Sequence, residues 1–188
     1  APKAVIRIDA NQAWSPRQAV NLLESMQAEG LNIELVEQPV KAKDIDGLQF
    51  VTNNSPVRVM ADESMFSPED ALNIMQRHAA DYVNIKLMKC GGISNALRIA
   101  SAAEVYGVEC MIGCMLEAKV SVTAAVHLAC AKNIITRIDL DGPALCSADP
   151  VSGGAEFNVG GATFDGKYIT ANQAPGLGIT EIHGLRYI

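Results

Sequence analysis

The strongest constraint on the fold is a repeat: six short apolar runs recur along the chain, and a helical pattern follows most of them. The starts of these runs are 24 to 28 residues apart, which is the length of one β/α unit. Two of the helical patterns open with Ser-Pro, a capping serine before a proline at the first helical position. Strands that alternate with helices in this way form parallel sheets with right-handed crossovers. The predicted strands are 5–9, 33–37, 57–62, 82–86, 109–113 and 135–139.

The number of units indicates which kind of array this is. Six units are visible in 188 residues, whereas a closed barrel of this type has eight and typically needs ~250 residues. An open array of six units would leave two unpaired sheet edges. We therefore predict an α/β fold: residues 1–149 form the C-terminal portion, about six β/α units, of a TIM-type (β/α) barrel. We expect an N-terminal portion or a partner chain to complete it.

Residues 150–188 differ from the rest of the chain. They are rich in glycine and carry short alternating pieces at 162–164 and 167–170. This pattern predicts loops and small antiparallel strands. We expect this C-terminal tail to pack on an N-terminal capping domain that is separate from the six β/α units.

Composition argues against several classes of function. The net charge is −6, and lysine and arginine form no cluster of the kind that binds nucleic acid. No apolar run approaches the ~20 residues of a membrane span, so no membrane is expected as a partner. The five cysteines form no Cys-x-x-Cys pair and lie in apolar surroundings. This favours reduced thiols in a cytoplasmic protein over a zinc site.

Four of the predicted strands end in a charged side chain: Asp9, Glu37, Asp62 and Lys86. In a parallel β/α barrel the carboxyl ends of the strands lie on one face, where active sites form. Three carboxylates that converge there would raise one another's pKa unless a cation lay between them, and their oxygens suit Mg²⁺. Any one of these acids could instead cap a helix or lie in solvent. The spacings of 28 and 25 residues between them favour a metal site.

Lys86 is the candidate general acid or base. A lysine beside a bound divalent cation should have a lowered pKa, because a like charge disfavours the ammonium form, and it could then accept a proton near neutral pH. Alternatively, Lys86 could form a structural ion pair with Glu63. Lys89 is the rival base, and we expect it to face solvent.

Four motifs resemble those of the enolase superfamily, and within it the muconate-lactonizing subgroup. They are Asp-Ala-Asn-Gln at 9–12, Val-Glu-Gln-Pro at 36–39, Ala-Asp-Glu-Ser at 61–64 and Asn-Ile-Lys-Leu-Met-Lys-Cys-Gly-Gly at 84–92. The resemblance covers nearly the whole chain. It implies that the three strand-end acids hold one Mg²⁺ and that Asn11 and Glu63 support these ligands. It also implies that Lys86 is one of two lysines on opposite faces of the substrate.

The segment 135–143 is similar to that of the dipeptide epimerases in this subgroup, where an Asp-x-Asp pair after the last strand binds the free α-ammonium group of the substrate. Asp139 and Asp141 stand at these positions, and carboxylates are the acceptors that an ammonium needs. The two aspartates could instead merely shape the Asp-Gly-Pro turn. The resemblance further implies that Cys114 and Leu116 line the substrate.

The activity implied by the resemblance is Mg²⁺-dependent epimerisation of dipeptides, such as L-Ala-D/L-Glu, by 1,1-proton transfer through an enediolate. One departure stands against it: the Lys-x-Lys motif that carries the family's second catalytic lysine does not occur before Asp9. An o-succinylbenzoate synthase, an N-acylamino acid racemase and a cycloisomerase remain alternatives, as does a metal-binding fragment without catalysis. By analogy with oligomeric relatives, a second copy of the chain is a candidate partner.

Overall fold

The centre of the fold is one six-stranded sheet in which every strand pairs in parallel with the next in sequence. The computed structural model describes residues 4–157 and 168–184. The order of the strands confirms the predicted β/α array. The strands are β1 (Ile6–Asp9), β2 (Ile33–Glu37), β3 (Arg58–Ala61), β4 (Tyr82–Lys86), β5 (Glu109–Gly113) and β6 (Ile135–Asp139).

Helices follow the strands, and two of them begin at the Ser-Pro sites singled out in the sequence. The helices are α1 (Pro16–Ala28), α2 (Ile45–Asn54), α3 (Pro68–Gln76), α4 (Leu87–Cys90), α5 (Ile93–Tyr106), α6 (Lys119–Ala131) and α7 (Gly142–Leu145). At the start of α3, the Ser67 hydroxyl accepts a hydrogen bond from the Asp70 N–H at 3.1 Å. The sequence does not predict α4 and α7, because a single turn is too short to show a helical period. Among the described residues, we find no helix with the length and apolar character that a membrane crossing requires.

The two faces of the sheet are buried in different ways. Successive strand side chains point to opposite faces. On the outer face, Val59 and Val83 are fully buried against the helices and belong to the large core. The inner face carries a separate small apolar cluster, formed by Leu35, Met60, Tyr82 and Met111.

The sheet is strongly curled, so its inner face is concave. Strands β2 and β6 are four strand spacings apart, which would be about 19 Å in a flat sheet. Nevertheless, the guanidinium group of Arg137 on β6 lies 2.8 Å from the carboxylate of Glu34 on β2. The curvature of a half-barrel brings these side chains together, which confirms the predicted portion of a (β/α) barrel.

The C-terminal tail forms two small antiparallel pairs. Strand β7 (Val151–Gly153) pairs with β10 (Ile179–Ile182). Strand β8 (Glu156–Phe157) pairs with β9 (Ile169–Thr170). The tail is tied to α6, because the Thr123 hydroxyl accepts a hydrogen bond from the Ala155 N–H at 2.9 Å. The predicted piece at 162–164 lies outside the described residues. The packing of the tail on a capping domain stays a prediction.

Candidate active site

Five of the charged side chains singled out in the sequence stand at the carboxyl ends of five strands. Asp9, Glu37, Lys86 and Asp139 are the last residues of β1, β2, β4 and β6, and Asp62 directly follows β3. Because the sheet is curled, the first and last strands approach one another, and a cavity of about 210 Å³ lies between them. The cavity is lined by Arg7, Ile8, Asp9, Glu37, Met111 and Asp139.

Asp62 lies between two lysines. Its Oδ2 atom accepts a hydrogen bond from the Lys86 ammonium at 2.7 Å, and its Oδ1 atom accepts one from Lys89. The side chains of Asp62, Lys86 and Lys89 are 6%, 13% and 6% exposed, respectively. The partner of Lys86 is therefore Asp62, and the alternative of a structural ion pair between Lys86 and Glu63 is wrong.

The expectation that Lys89 faces solvent is also wrong. Helix α4 begins directly after Lys86 and returns the Lys89 side chain to the strand ends. The Lys89 ammonium donates to the backbone oxygens of Asp62 at 2.7 Å and of Asn84 at 3.3 Å. It also lies 5.6 Å from the centre of the Phe66 ring, within the range of a cation–π interaction. Sequence reasoning missed this position because the direction of Lys89 depends on a helix of only four residues.

The two lysines differ in their electrostatics. Burial by itself lowers the pKa of Lys86, but the hydrogen bond and charge of Asp62 outweigh burial and raise that pKa above its ordinary value. Burial of Lys89 prevails, and its pKa is lowered. Burial acts to raise the pKa of Asp62, but the two ammonium groups outweigh it and lower that pKa. The expected lowering of the Lys86 pKa applies to a lysine beside a bound cation, and it stays a prediction.

Glu37 is a buried carboxyl group that accepts a side-chain hydrogen bond from Asn84. The Asn84 amide donates a hydrogen bond to its Oε1 atom at 2.7 Å. Burial raises the pKa of Glu37 to about 7; the Asn84 hydrogen bond opposes this, whereas the charges of Asp62 and Asp9 add to it. The charges of the other two acids therefore act on Glu37 in the direction expected of carboxylates that converge.

The chemistry of Asp9, Glu37 and Asp62 fits a hard divalent cation. All three offer carboxylate oxygens, which Mg²⁺ prefers, and a cation between them would offset both the burial of Glu37 and the smaller repulsion from its neighbours that raise its pKa. As the side chains stand, no three His, Cys, Asp or Glu residues within 4–157 and 168–184 are close enough together to hold an ion. Both carboxylate oxygens of Asp62 are bound by lysines instead. The assignment of these acids as metal ligands stays a prediction.

Asn11 and Glu63, expected to support the ligands, lie beside them. The Asn11 backbone N–H donates a hydrogen bond to Oδ1 of Asp9 at 2.9 Å. Glu63 accepts a hydrogen bond from the Gln12 amide at 3.2 Å, which links the loop after β3 to the loop after β1. The contact from Asn11 comes from its backbone N–H, and a supporting role of its side chain stays a prediction.

The four residues expected to bind substrate lie at the ends of β5 and β6. Asp139 lines the cavity, and burial together with the charge of Asp141 raises its pKa. Asp141 precedes α7, but its side chain makes no capping hydrogen bond there. Cys114 accepts a hydrogen bond from the Gly142 N–H at 3.4 Å, and burial raises the pKa of its thiol to about 11. Leu116 is 70% exposed and lies on the rim.

Gly113 is a site residue that the sequence did not reveal. It ends β5 opposite Lys86 in the parallel register. A Cβ atom at this position would lie 2.7 Å from Oδ1 of Asn84 and 3.1 Å from Cε of Lys86. Glycine therefore gives these two side chains the room that they occupy. The only signal for it in the sequence is a glycine at the end of an apolar strand.

The sequence of residues 1–181 matches the family described as "Enolase C-terminal domain-like". The chain belongs to this family. The family assignment agrees with the resemblance stated from the four motifs, and it covers all of the site residues named above.

Several relatives are similar to this chain over most of its length. The L-Ala-D/L-Glu epimerase of Clostridium acetobutylicum is 60% identical over 178 residues, which are 95% of this chain and 48% of that protein. A solved substrate-liganded complex of the L-Ala-D/L-Glu epimerase from Bacillus subtilis has a TM-score of 0.90 at 45% identity, covering 97% of this chain and 49% of that one. The dipeptide epimerase of Enterococcus faecalis V583, solved with Mg and the dipeptide L-Leu-L-Tyr, has a TM-score of 0.77 at 50% identity. The match covers 80% of this chain and 42% of that one. The chain thus spans about half the length of these relatives.

Proposed function

We propose that the protein epimerises dipeptides and uses Mg²⁺ as its cofactor. The observation that carries this proposal is the position of Asp9, Glu37, Asp62, Lys86 and Asp139, which all lie at the carboxyl ends of the strands of one curled sheet. The similarity to L-Ala-D/L-Glu epimerases, and to a dipeptide epimerase solved with Mg and a dipeptide, supports it.

Asp9, Glu37 and Asp62 are the residues that would hold the ion. When bound, Mg²⁺ supplies the positive charge that stabilises an enediolate, the product of removing the α-proton from the C-terminal residue of the dipeptide. The chain contributes negative charge at three neighbouring strand ends. Asn84 holds one of these carboxylates in place through the hydrogen bond to Glu37.

Lys86 is the residue that moves the proton. Its ammonium group is largely enclosed and is held 2.7 Å from Asp62, so it has a fixed position beside the proposed metal ligands. As a base it takes the α-proton from one epimer, and as an acid it returns a proton to the other. A reaction that yields both epimers needs such a group on each face of the α-carbon. Lys86 supplies one of the two.

Asp139 and Asp141 would bind the free α-ammonium group of the dipeptide. The two carboxylates are close enough that the charge of Asp141 helps to raise the pKa of Asp139, and a bound ammonium would relieve this repulsion. The alternative enzymes of the subgroup, including the N-acylamino acid racemases, act on substrates without an ammonium at this point. The Asp139→Asn variant should therefore raise the KM for dipeptides.

The test of the proposal is α-proton exchange in D₂O, followed by NMR on a panel of dipeptides with Mg²⁺. The unsubstituted protein should exchange the α-proton of the C-terminal residue of at least one epimer, and Lys86→Ala should abolish this exchange. Formation of the opposite epimer would show that a second base acts on the other face of the α-carbon. Lys132→Ala is the matched control, because Lys132 pairs with Glu104 on the protein surface. Exchange that persists in Lys86→Ala for both epimers would overturn the assignment of Lys86. Exchange on N-acylamino acids alone would favour the racemase alternative.

A further inference from the structure

Gln38 is a fully buried amide at the end of β2, directly after Glu37. Its side chain makes four hydrogen bonds. Its Oε1 atom accepts from the backbone N–H groups of Asp62 at 2.9 Å and Ser64 at 3.1 Å. Its Nε2 atom donates to the Val40 backbone oxygen at 3.0 Å and to the Ser64 hydroxyl at 2.8 Å. Both amide hydrogens and both acceptor positions of the side chain are therefore used.

The backbone at Gln38 is held in a rare conformation. Its φ angle is +33°, in the left-handed region that residues other than glycine seldom adopt. Such a conformation costs energy and persists only where the surrounding contacts determine it. Here the four side-chain hydrogen bonds provide these contacts. The Gln38 N–H also donates to the Met60 backbone oxygen at 2.9 Å, which keeps the residue in register with β3.

Gln12 repeats this arrangement in the loop after β1. It also has a positive φ angle, +65°. Its side-chain oxygen accepts from the Ala42 N–H at 2.9 Å, and its amide donates to Glu63 at 3.2 Å. Its backbone N–H donates to the Gln38 backbone oxygen at 2.8 Å. The two glutamines thus join the loops that follow β1, β2 and β3.

These three loops are the ones that follow Asp9, Glu37 and Asp62. We infer that Gln38, with Gln12 beside it, is a positioning residue that fixes the separation of the three carboxylates and so sets the affinity of the site for a divalent cation. The inference rests on the proposed metal site and goes beyond it, because it names a residue that contacts neither ion nor substrate. Gln38 acts through the backbone of Asp62, whose N–H it holds, and through its covalent link to Glu37.

The competing explanation is that Gln38 only stabilises the fold. A structural role would lower the thermal stability of a variant but would leave Mg²⁺ affinity unchanged at temperatures where the protein is folded. Gln38→Met separates the two, because methionine keeps the length and the volume of the side chain but makes none of the four hydrogen bonds. Gln49→Met is the matched control, since the Gln49 amide also donates to a backbone oxygen, that of Arg77, but lies on α2 in the helical layer.

The experiment measures Mg²⁺ binding by isothermal titration calorimetry on the unsubstituted protein and both variants, well below their unfolding temperatures. Amide hydrogen exchange at Asp62 and Ser64 is followed by NMR on the same samples. We expect Gln38→Met to bind Mg²⁺ about 10- to 100-fold more weakly and to lose protection of the two amides, and Gln49→Met to do neither. Unchanged Mg²⁺ affinity in Gln38→Met, while the unsubstituted protein binds Mg²⁺, would overturn the inference.

If Gln38→Met does not fold, Ser64→Ala carries the test, because it removes one acceptor of the Gln38 amide together with the Ser64 hydrogen bond to the Ala42 backbone oxygen. A weakened affinity supports the inference, and an unchanged affinity overturns it. If the unsubstituted protein binds no Mg²⁺, the proposed function fails. Amide protection in Gln38→Met then shows separately whether Gln38 holds the backbone of Asp62.

Discussion

Replacement of Arg137 by methionine should loosen the curl of the sheet. The Arg137 guanidinium reaches three residues on other strands. It donates to Glu34 on β2 at 2.8 Å, to Glu109 on β5 at 2.7 Å and to the Tyr82 hydroxyl on β4 at 3.1 Å. It also lies 4.1 Å from the centre of the Tyr82 ring. One side chain of β6 therefore ties together the inner faces of three other strands.

The expected loss of stability follows from the exposure of each partner. The pair with Glu109, a side chain that is 46% exposed, contributes roughly 0.5 kcal/mol after screening by solvent. The more enclosed pair with Glu34 and the cation–π contact with Tyr82 contribute about 1 kcal/mol each. Neither carboxylate loses its last partner, because Arg7 still binds Glu34 and Thr136 still donates to Glu109. The free energy of unfolding should therefore fall by about 2 to 3 kcal/mol, not by the larger penalty of an unpaired buried charge.

Urea denaturation of the Arg137→Met protein measures this loss. Arg58→Met is the control, since Arg58 is an exposed arginine on β3 whose pair with Asp81 should contribute less than ~0.5 kcal/mol. Arg137→Lys keeps the charge but not the forked geometry, so it should recover only part of the loss. An Arg137→Met protein as stable as the unsubstituted one would refute the view that this contact maintains the curl.

Three other perturbations have definite expected outcomes. The free energy of unfolding should decrease as the pH falls below about 4.5, as urea titrations at several pH values would show. The hydrogen bonds of Glu34 with Arg7 and of Glu109 with Thr136 lower the pKa of these two acids in the folded protein. At these two acids the folded form therefore binds fewer protons than the unfolded form, and protonation favours unfolding. Gly113→Ala should lose about 1 to 3 kcal/mol of stability and most of its kcat, because the added Cβ meets the Asn84 amide and displaces Lys86; urea denaturation and steady-state kinetics measure both. Mg²⁺ at a concentration of 100 times its Kd should stabilise the folded protein by about 2.7 kcal/mol and so raise its melting temperature. Asp62→Asn should remove this rise in thermal scans.

The placement of the site could be predicted because it depends on strand ends. Apolar runs that finish in Asp9, Glu37 and Lys86 locate these residues on one edge of a parallel sheet, and the structure has the same last residues in β1, β2 and β4. Helices α1 and α3 begin at the two predicted Ser-Pro sites, with proline at the first helical position. These features are local, so a stretch of about ten residues contains the pattern that predicts each of them.

The interactions within the site could not be predicted in the same way. The burial of Lys89 depends on a one-turn helix, and the contact of Arg137 with Glu34 depends on the curvature of the whole sheet. Gln38 lies in the Val-Glu-Gln-Pro motif at 36–39, but the sequence of this motif does not show that the Gln38 side chain makes four hydrogen bonds. Apart from the hydrogen bond of Gln38 to Val40, these contacts join residues 24 or more positions apart, and no local sequence pattern relates residues so distant.

The most direct test of the account is a crystal structure of the protein with Mg²⁺ and a dipeptide bound. We expect one ion held by Asp9, Glu37 and Asp62 at about 2.0–2.1 Å, the distance that Mg²⁺ requires. We also expect the Lys86 ammonium to lie within about 3–3.5 Å of the α-carbon of the C-terminal residue, the separation of two groups placed to react. An ion held by other residues, or an α-carbon out of reach of Lys86, would contradict the roles proposed for these residues.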